Sequence, residues 1–300
     1  MNILQINSSF GWGGREMYPL ILAKKLSQKG HKVRLITNPE THIERKAIEL
    51  GLPVTTIRIK GYFNLQATLL LKNIIREERI DVIHLHFSKD TWWVIPALCF
   101  SPLPVVILTK HVESRVNKKD IPHRLINGRL NKVIAVSEMI RRNFLKTTAL
   151  KTSKVITIYC GLDLEMYHPK IYKERNVSLE FGFDSATKVV GIVGRLCPGK
   201  GQEDFLKAAK LILKVSPKTV FMVVGDDIGA PGYRNYLKDL AQRLEISEKI
   251  IFTGHRDNIP EMLSLFDVFA FTSYAESFGL TLIEAMAMEK PVVAFDAGAV

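Results

Sequence analysis

With 300 residues, 47% of them hydrophobic, the chain can bury two modest cores, which argues for two domains and fits an α/β enzyme. Its three cysteines, Cys99, Cys160 and Cys197, lack any C-x-x-C spacing, so a disulfide framework is excluded and a reducing compartment fits. The net charge of +12 is uneven: residues 1 to 175 carry 29 Lys and Arg against 14 Asp and Glu, and residues 176 to 300 carry 13 against 16.

The N-terminus enters a strand at once, Asn2-Ile-Leu-Gln-Ile6, with neither the basic nor the apolar region of a signal peptide, so a cytoplasmic location is expected. Gly11-Trp-Gly-Gly14 follows and faintly resembles a dinucleotide fingerprint. It lacks the final glycine at the required offset, which sets an oxidoreductase aside. Strands are predicted near 2–7, 33–37, 54–58, 81–85, 105–109, 133–136 and 155–158, alternating with helices as in parallel sheets covered on both faces. His84 and His86 alternate on one strand and point to one side, but no Cys or carboxylate ligands cluster nearby in sequence, so no metal site is assigned. The apolar stretch from Trp92 to Leu108 approaches a membrane span in length. Pro96, Pro102 and Pro104 interrupt it, and it reads as a short helix, a turn and a buried strand.

The polar stretch from Pro169 to Ser178 reads as a linker, giving a first domain at 1–168, a linker at 169–187 and a second domain at 188–300. A second sheet is expected from Val189, continuing through Val220–Val224, Ile250–Phe252, Val268–Phe271 and Pro291–Phe295. Its first strand runs into a turn bearing Gly194, Arg195, Gly199, Lys200 and Gly201. The glycines let backbone approach a ligand, and the two cations suit a diphosphate whose oxygens gain charge as it leaves. After the strand Val268–Phe271 comes Ala275-Glu-Ser-Phe-Gly-Leu-Thr-Leu-Ile-Glu-Ala-Met-Ala287, in which Gly279 turns the chain into an amphipathic helix. The first amides of such a helix lack intrahelical acceptors and attract a phosphate. Glu284 lies about 7 Å along its axis, placed for ribose hydroxyls, while Glu276 precedes the turn and reaches a sugar hydroxyl. Two glutamates at this spacing are commonly solvated surface carboxylates; the upstream cationic turn makes them a nucleotide-sugar clasp.

These segments resemble glycosyltransferase family 4, the retaining transferases of the GT-B fold, over nearly the whole length. The resemblance is carried by Gly11-Trp-Gly-Gly14-Arg-Glu16, Asp81-Val-Ile-His-Leu-His86, Thr109-Lys-His111, Ala135-Val-Ser-Glu138, Ile158-Tyr-Cys-Gly-Leu-Asp163, the Gly194 to Gly201 turn and the Glu276 to Glu284 motif. It implies an α/β fold of two facing Rossmann-like domains with parallel sheets. It also implies that Arg195 and Lys200 contact the donor diphosphate, that Glu284 binds the ribose and that Glu276 lies near the transferred sugar. Amides at Phe278, Gly279 and Leu280 complete the phosphate seat, with Gly194 beside it. His111 lines the sugar pocket, and the Gly13-Gly14 loop closes over the donor from the opposite domain. Where the family usually has Asn before Gly161, this chain has Cys160.

The expected activity is sugar transfer with retention from a UDP- or GDP-linked donor to a glycolipid, lipopolysaccharide or polysaccharide precursor. No cofactor and no metal are expected, since no Asp-x-Asp motif is present and Asp226-Asp227 lacks its spacing. Alternatives are an inactive relative that only binds nucleotide sugar or a partner, and a GT-B sugar-nucleotide epimerase. From Lys110 to Lys154 twelve cations face only Glu113, Asp120 and Glu138. In the family the first domain receives the acceptor, so this run points to an acidic acceptor or an anionic membrane surface, with a solvated face as the plain reading. Nucleic acid is set aside because interleaved aromatics and a recognisable module are missing. The chain stops at Val300 just past a strand, where family members continue, so an incomplete second domain and weak activity are expected.

Overall fold

The computed structural model describes residues 1–59, 61–98, 104–172, 178–184 and 186–300. The chain divides into two compact units, Met1–Cys160 and Gly161–Val300. The stretch read as a linker holds two four-residue helices, Pro169–Tyr172 and Ser178–Phe181, and belongs with the second unit. Cys99, Pro102 and residues 173–177 lie outside the described residues.

The first unit is a seven-stranded parallel sheet. Its strands are β1 (Asn2–Asn7), β2 (Lys32–Thr37), β3 (Val54–Thr56), β4 (Val82–Leu85), β5 (Val105–Lys110), β6 (Lys132–Ala135) and β7 (Val155–Thr157), in the order β3-β2-β1-β4-β5-β6-β7. Register aligns Ile6 with Leu85 and Leu85 with Leu108, so one face stacks these residues into a core with Leu71, Trp93 and Phe144. Helix starts follow the sequence closely: Thr41, Asn64, Asp120 and Ser137 each accept a hydrogen bond from the amide three residues on. Trp92 lies in the helix Thr91–Ala97 and β5 begins at Val105, as the proline spacing predicts. Among the described residues no helix is long and apolar enough to cross a membrane.

The second unit is a five-stranded parallel sheet of β8 (Lys188–Val193), β9 (Thr219–Val224), β10 (Ile250–Gly254), β11 (Val268–Phe271) and β12 (Val292–Ala294), in the order β10-β9-β8-β11-β12. Alternation along β9 sends Phe221 and Val223 to one core, with Phe205, Leu206 and Leu237, and Met222 and Val224 to the other, with Phe269, Met262 and Ala285. Both faces are therefore apolar, which is why these strands read as continuous hydrophobic runs.

Candidate active site

In the second unit β8, β9 and β10 are laid outward in one direction and β11 then crosses to the other side of β8. The C-terminal ends of β8 and β11 thus lie side by side with connections leaving in opposite senses, the position at which open α/β sheets bind ligands. Both turns singled out in the sequence leave from here. Thr272 Oγ1 donates to the Gly201 carbonyl at 2.8 Å, and the Tyr274 amide donates to the Gly199 carbonyl at 3.0 Å. Gly201 has φ of +74°, and a Cβ added there would stand 1.9 Å from the Thr272 carbonyl oxygen. Only glycine lets the two turns meet this closely.

Lys200 and Glu276 are brought together as an ion pair, Nζ to Oε1, with only 25% and 16% of their side chains exposed. Arg195 is exposed and pairs with no carboxylate among the described residues; its carbonyl accepts from Gln202 Nε2 at 2.9 Å. Gly194 meets the next strand end, its amide donating to the Val224 carbonyl at 3.0 Å. Gly279, with φ of +85°, precedes the helix Leu280–Ala287, which no side chain caps. Phe278 precedes this turn, and the Gly279–Leu280 backbone sits at a helix start with no side-chain cap, the kind of position that suits an anion.

Glu284 lies on this helix and accepts a hydrogen bond from the Tyr167 hydroxyl. Burial raises its carboxyl to about 7, and the tyrosine draws it partly back. The sequence reading missed Tyr167 and assigned it to the first domain; it packs in the second unit's core beside Tyr172. Asp226 and Asp227 are engaged locally, Asp226 with Arg234 at 3.4 Å and Asp227 with the Gly232 amide at 2.8 Å.

The first unit has its own switch point, between β1 and β4. The loop after β1 is tied down throughout: Ser9 Oγ donates to Glu16 at 2.7 Å, the Gly11 amide donates to Ser9 Oγ at 3.1 Å, and Arg15 pairs with Glu16 at 2.6 Å. Gly13 is extended and Gly14 opens the helix Gly14–Gln28. Asp90, after β4, is fully buried and accepts from the Ser8 amide at 3.1 Å, the Ser8 hydroxyl and Trp93 Nε1 at 3.1 Å; burial raises it to about 6.

His111, one residue past β5, joins a buried polar ladder. Its Nε2 lies 3.2 Å from His86 Nδ1, His86 Nε2 lies 2.5 Å from Gln5 Oε1, and His84 Nε2 lies 2.7 Å from Thr109 Oγ1. With Gln5 Oε1 as acceptor, His86 carries its proton on Nε2 and accepts from His111 Nε2–H. Burial lowers His84 to about 4 and His111 to about 3, and lowers His86 strongly as well, so all three are neutral at pH 7. Gln5 and Asp90 were not singled out in the sequence, because a lone buried amide or carboxylate in an apolar run carries no pattern.

The basic run from Lys110 to Lys154 is partly internal. Lys154 Nζ donates to the carbonyls of Gly128 and Leu130 at 2.8 and 2.7 Å, Lys132 Nζ to that of Ser153 at 2.9 Å, and Arg141 pairs with Glu138 at 2.9 Å. Lys110 is buried, with Ser88 Oγ 3.4 Å away, and burial lowers it to about 8. A cavity of about 770 Å³ opens at the N-terminal ends of β1 and β2, the edge opposite these loops.

Each unit is thus an open, doubly wound parallel sheet. The family model described as Glycosyltransferase Family 4 matches residues 12–166, and that described as Glycosyl transferases group 1 matches residues 175–300. The chain belongs to glycosyltransferase family 4. It is 26% identical over 241 residues to the UDP-Gal:alpha-D-GlcNAc-diphosphoundecaprenol alpha-1,3-galactosyltransferase of Escherichia coli, covering 77% of this chain and 61% of that relative. It is 31% identical over 172 residues to the lipopolysaccharide core biosynthesis mannosyltransferase LpsB of Rhizobium meliloti, covering 57% of this chain and 47% of that protein. The chain thus spans about three fifths and about half of these relatives' lengths. Among solved structures, a glycosyltransferase from Rickettsia africae superimposes with a TM-score of 0.86 at 22% identity, over 100% of this chain and 80% of that one. HepE of Anabaena in complex with UDP-glucose gives 0.78 at 23% identity, over 100% and 81%. The fold is GT-B, with two parallel α/β sheets.

Proposed function

We propose that the chain transfers a sugar, with retention, from a UDP- or GDP-linked donor to a glycolipid, lipopolysaccharide or polysaccharide precursor. The observation that carries this reading is the junction of the β8 and β11 turns, which gathers Arg195, the Lys200–Glu276 pair and the open helix start at Gly279 within one strand-end crevice. The diphosphate lies against Arg195, Lys200 and the amides near Gly279, where cations and helix dipole offset the charge that grows as the sugar bond breaks. Glu284 takes the ribose hydroxyls and Glu276 orients the sugar. The leaving diphosphate assists attack from its own face, so no separate base and no metal are required.

The E. coli relative is named for a UDP-linked sugar and a diphosphoundecaprenol acceptor, and HepE is held with UDP-glucose, which supports a nucleotide sugar and a lipid-linked acceptor for this chain. Such an acceptor would support a location on the cytoplasmic face of the inner membrane. The test is a transfer assay with UDP- and GDP-sugars and a polyprenyl-diphosphate-linked acceptor, with EDTA present. Transfer with retained configuration is expected; an inverted product, or activity abolished by EDTA and rescued by Mg²⁺ or Mn²⁺, overturns the mechanism.

A further inference from the structure

Helices of the first unit expose large apolar side chains that no core explains. On the helix Leu65–Glu77, Leu65 and Leu69 are 74% and 55% exposed; on the helix Ile121–Gly128, Ile121 and Leu125 are 73% and 72% exposed. Each pair is spaced four residues apart, so each forms one stripe on its helix. Trp92 joins the two stripes. Its ring contacts Phe63 at 5.6 Å and Tyr62 at 5.9 Å on one side and His123 at 5.0 Å on the other. Phe63 is itself 75% exposed. The result is a continuous aromatic and aliphatic face rather than scattered exposed residues, and such a face marks an interaction surface.

The charges around it select the partner. Lys89 lies over the Tyr62 ring at 5.3 Å, and Lys119 and Arg124 flank Ile121 and are exposed. On the first helix, Lys72 and Arg76 continue the Leu65–Leu69 stripe at seven and eleven residues from Leu65. The acids nearby are Asp120, which His123 holds at 2.7 Å, and Glu77 at the far end of the first helix. Apolar tips ringed by cations, with Tyr and Trp between them, match the order met on entering an anionic bilayer: headgroup phosphates, then the interfacial zone, then acyl chains.

We infer that the face formed by Phe63, Leu65, Leu69, Trp92, Ile121 and Leu125 docks the first unit onto an anionic lipid bilayer, its aromatic and leucine tips entering the interface and its lysines and arginines meeting the headgroups. The choice of a bilayer rests on the reading of a lipid-linked acceptor; the face itself is observed independently of it. From the run Lys110–Lys154 the face takes only the segment around Lys119, Ile121, Arg124 and Leu125, whereas Lys132, Arg141 and Lys154 are engaged with carbonyls and Glu138.

The fluorescence of the chain tests this directly, because Trp12 and Trp93 are buried and Trp92 alone of the three tryptophans lies in the face. With vesicles of phosphatidylcholine containing phosphatidylglycerol, emission should shift to the blue and be quenched by brominated acyl chains. Pure phosphatidylcholine vesicles should give a much weaker response. The variant F63S/L65S/L125S, altered only at exposed positions, should lower the partition coefficient about tenfold or more. The control V215S, at an exposed apolar residue of the second unit, should leave it unchanged. Undiminished partitioning of the triple variant overturns the inference, as does absence of binding to anionic vesicles. A concentration-dependent dimer that the triple variant abolishes, without vesicle binding, also overturns it and assigns the face to a second copy. Thermal shift by nucleotide sugars separates the two readings: the triple variant should keep that shift, and loss of the shift in the wild type with vesicle binding intact would count against the transferase reading alone.

Discussion

Lys200 and Glu276 hold each other across two turns that leave adjacent strands. The two cations of the crevice therefore differ at rest: Lys200 is ion-paired and three-quarters buried, while Arg195 is exposed and has no carboxylate partner among the described residues. Arg195→Ala should leave stability within about 0.5 kcal/mol yet lower kcat by about a hundredfold, because the guanidinium acts on charge that appears in the transition state. Lys200→Ala should lower kcat similarly and also cost about 1–3 kcal/mol, since it strands a half-buried carboxylate. Adding Glu276→Gln should recover part of that stability but none of the activity. Melting curves and steady-state kinetics on the three variants check this; an unchanged kcat in both cation variants removes the leaving-group role.

Glu284 gives the crevice a pH dependence. Its folded carboxyl sits near 7, above the ordinary 4.5, so the folded state holds a proton the unfolded state has released. That contribution favours the fold below about 4.5, and is lost as pH rises to about 7. On the proposed role of Glu284, ribose binding runs the other way, because ribose hydroxyls would donate to the ionised form. Donor affinity should therefore rise about tenfold from pH 6 to pH 8. Glu284→Gln should weaken binding and abolish the slope, and Tyr167→Phe, which removes the bond that draws the carboxyl back down, should move the profile to higher pH. Calorimetric titration with an intact nucleotide sugar measures this without a phosphate ionisation in the range.

Gly201 and Gly199 separate close approach from backbone strain. Both have positive φ, +74° and +90°, but a Cβ at Gly199 meets open space and one at Gly201 meets the Thr272 carbonyl. Gly199→Ala should cost about 1–2 kcal/mol. Gly201→Ala should cost more and also push the two turns apart, so that the melting shift given by nucleotide sugar disappears. Equal effects of the two substitutions contradict this packing account.

The buried histidines act on stability at acid pH. Their folded values lie below the ordinary 6.5, so the unfolded chain takes up protons that the fold refuses, and stability falls as pH drops from about 6.5 toward 4. Asp90, in the same unit and raised to about 6, opposes this over the same window and offsets about one of the three protons. Tryptophan fluorescence follows the first unit alone, since all three tryptophans lie there. His84→Gln should flatten the acid limb of its unfolding profile, and a limb of unchanged steepness would mean that His84 protonates freely in the fold.

Much of this organisation was legible before any coordinates. Parallel strands buried on both faces must be apolar throughout, so Val105–Lys110 and Thr219–Val224 announce themselves, and Gly201 and Gly279 mark turns that other residues cannot make. What could not be read were pairings set by the crossing of strands. Nothing near Tyr167 points to Glu284, and the reading that gave Lys200 to the diphosphate and Glu276 to the sugar did not foresee that they bind each other. The basic run looked like an open face because a sequence does not show that Lys132 and Lys154 reach back to carbonyls.

The central claim is that the β8–β11 junction binds a nucleotide sugar through Glu284 and the cationic turn, and calorimetric titration of the protein with a panel of UDP- and GDP-sugars tests it most directly. One donor class should bind with 1:1 stoichiometry, Glu284→Ala should weaken it at least about tenfold, and EDTA should leave it unchanged. Absence of binding by every nucleotide sugar, or binding that Glu284→Ala and Arg195→Ala both leave intact, would contradict the account.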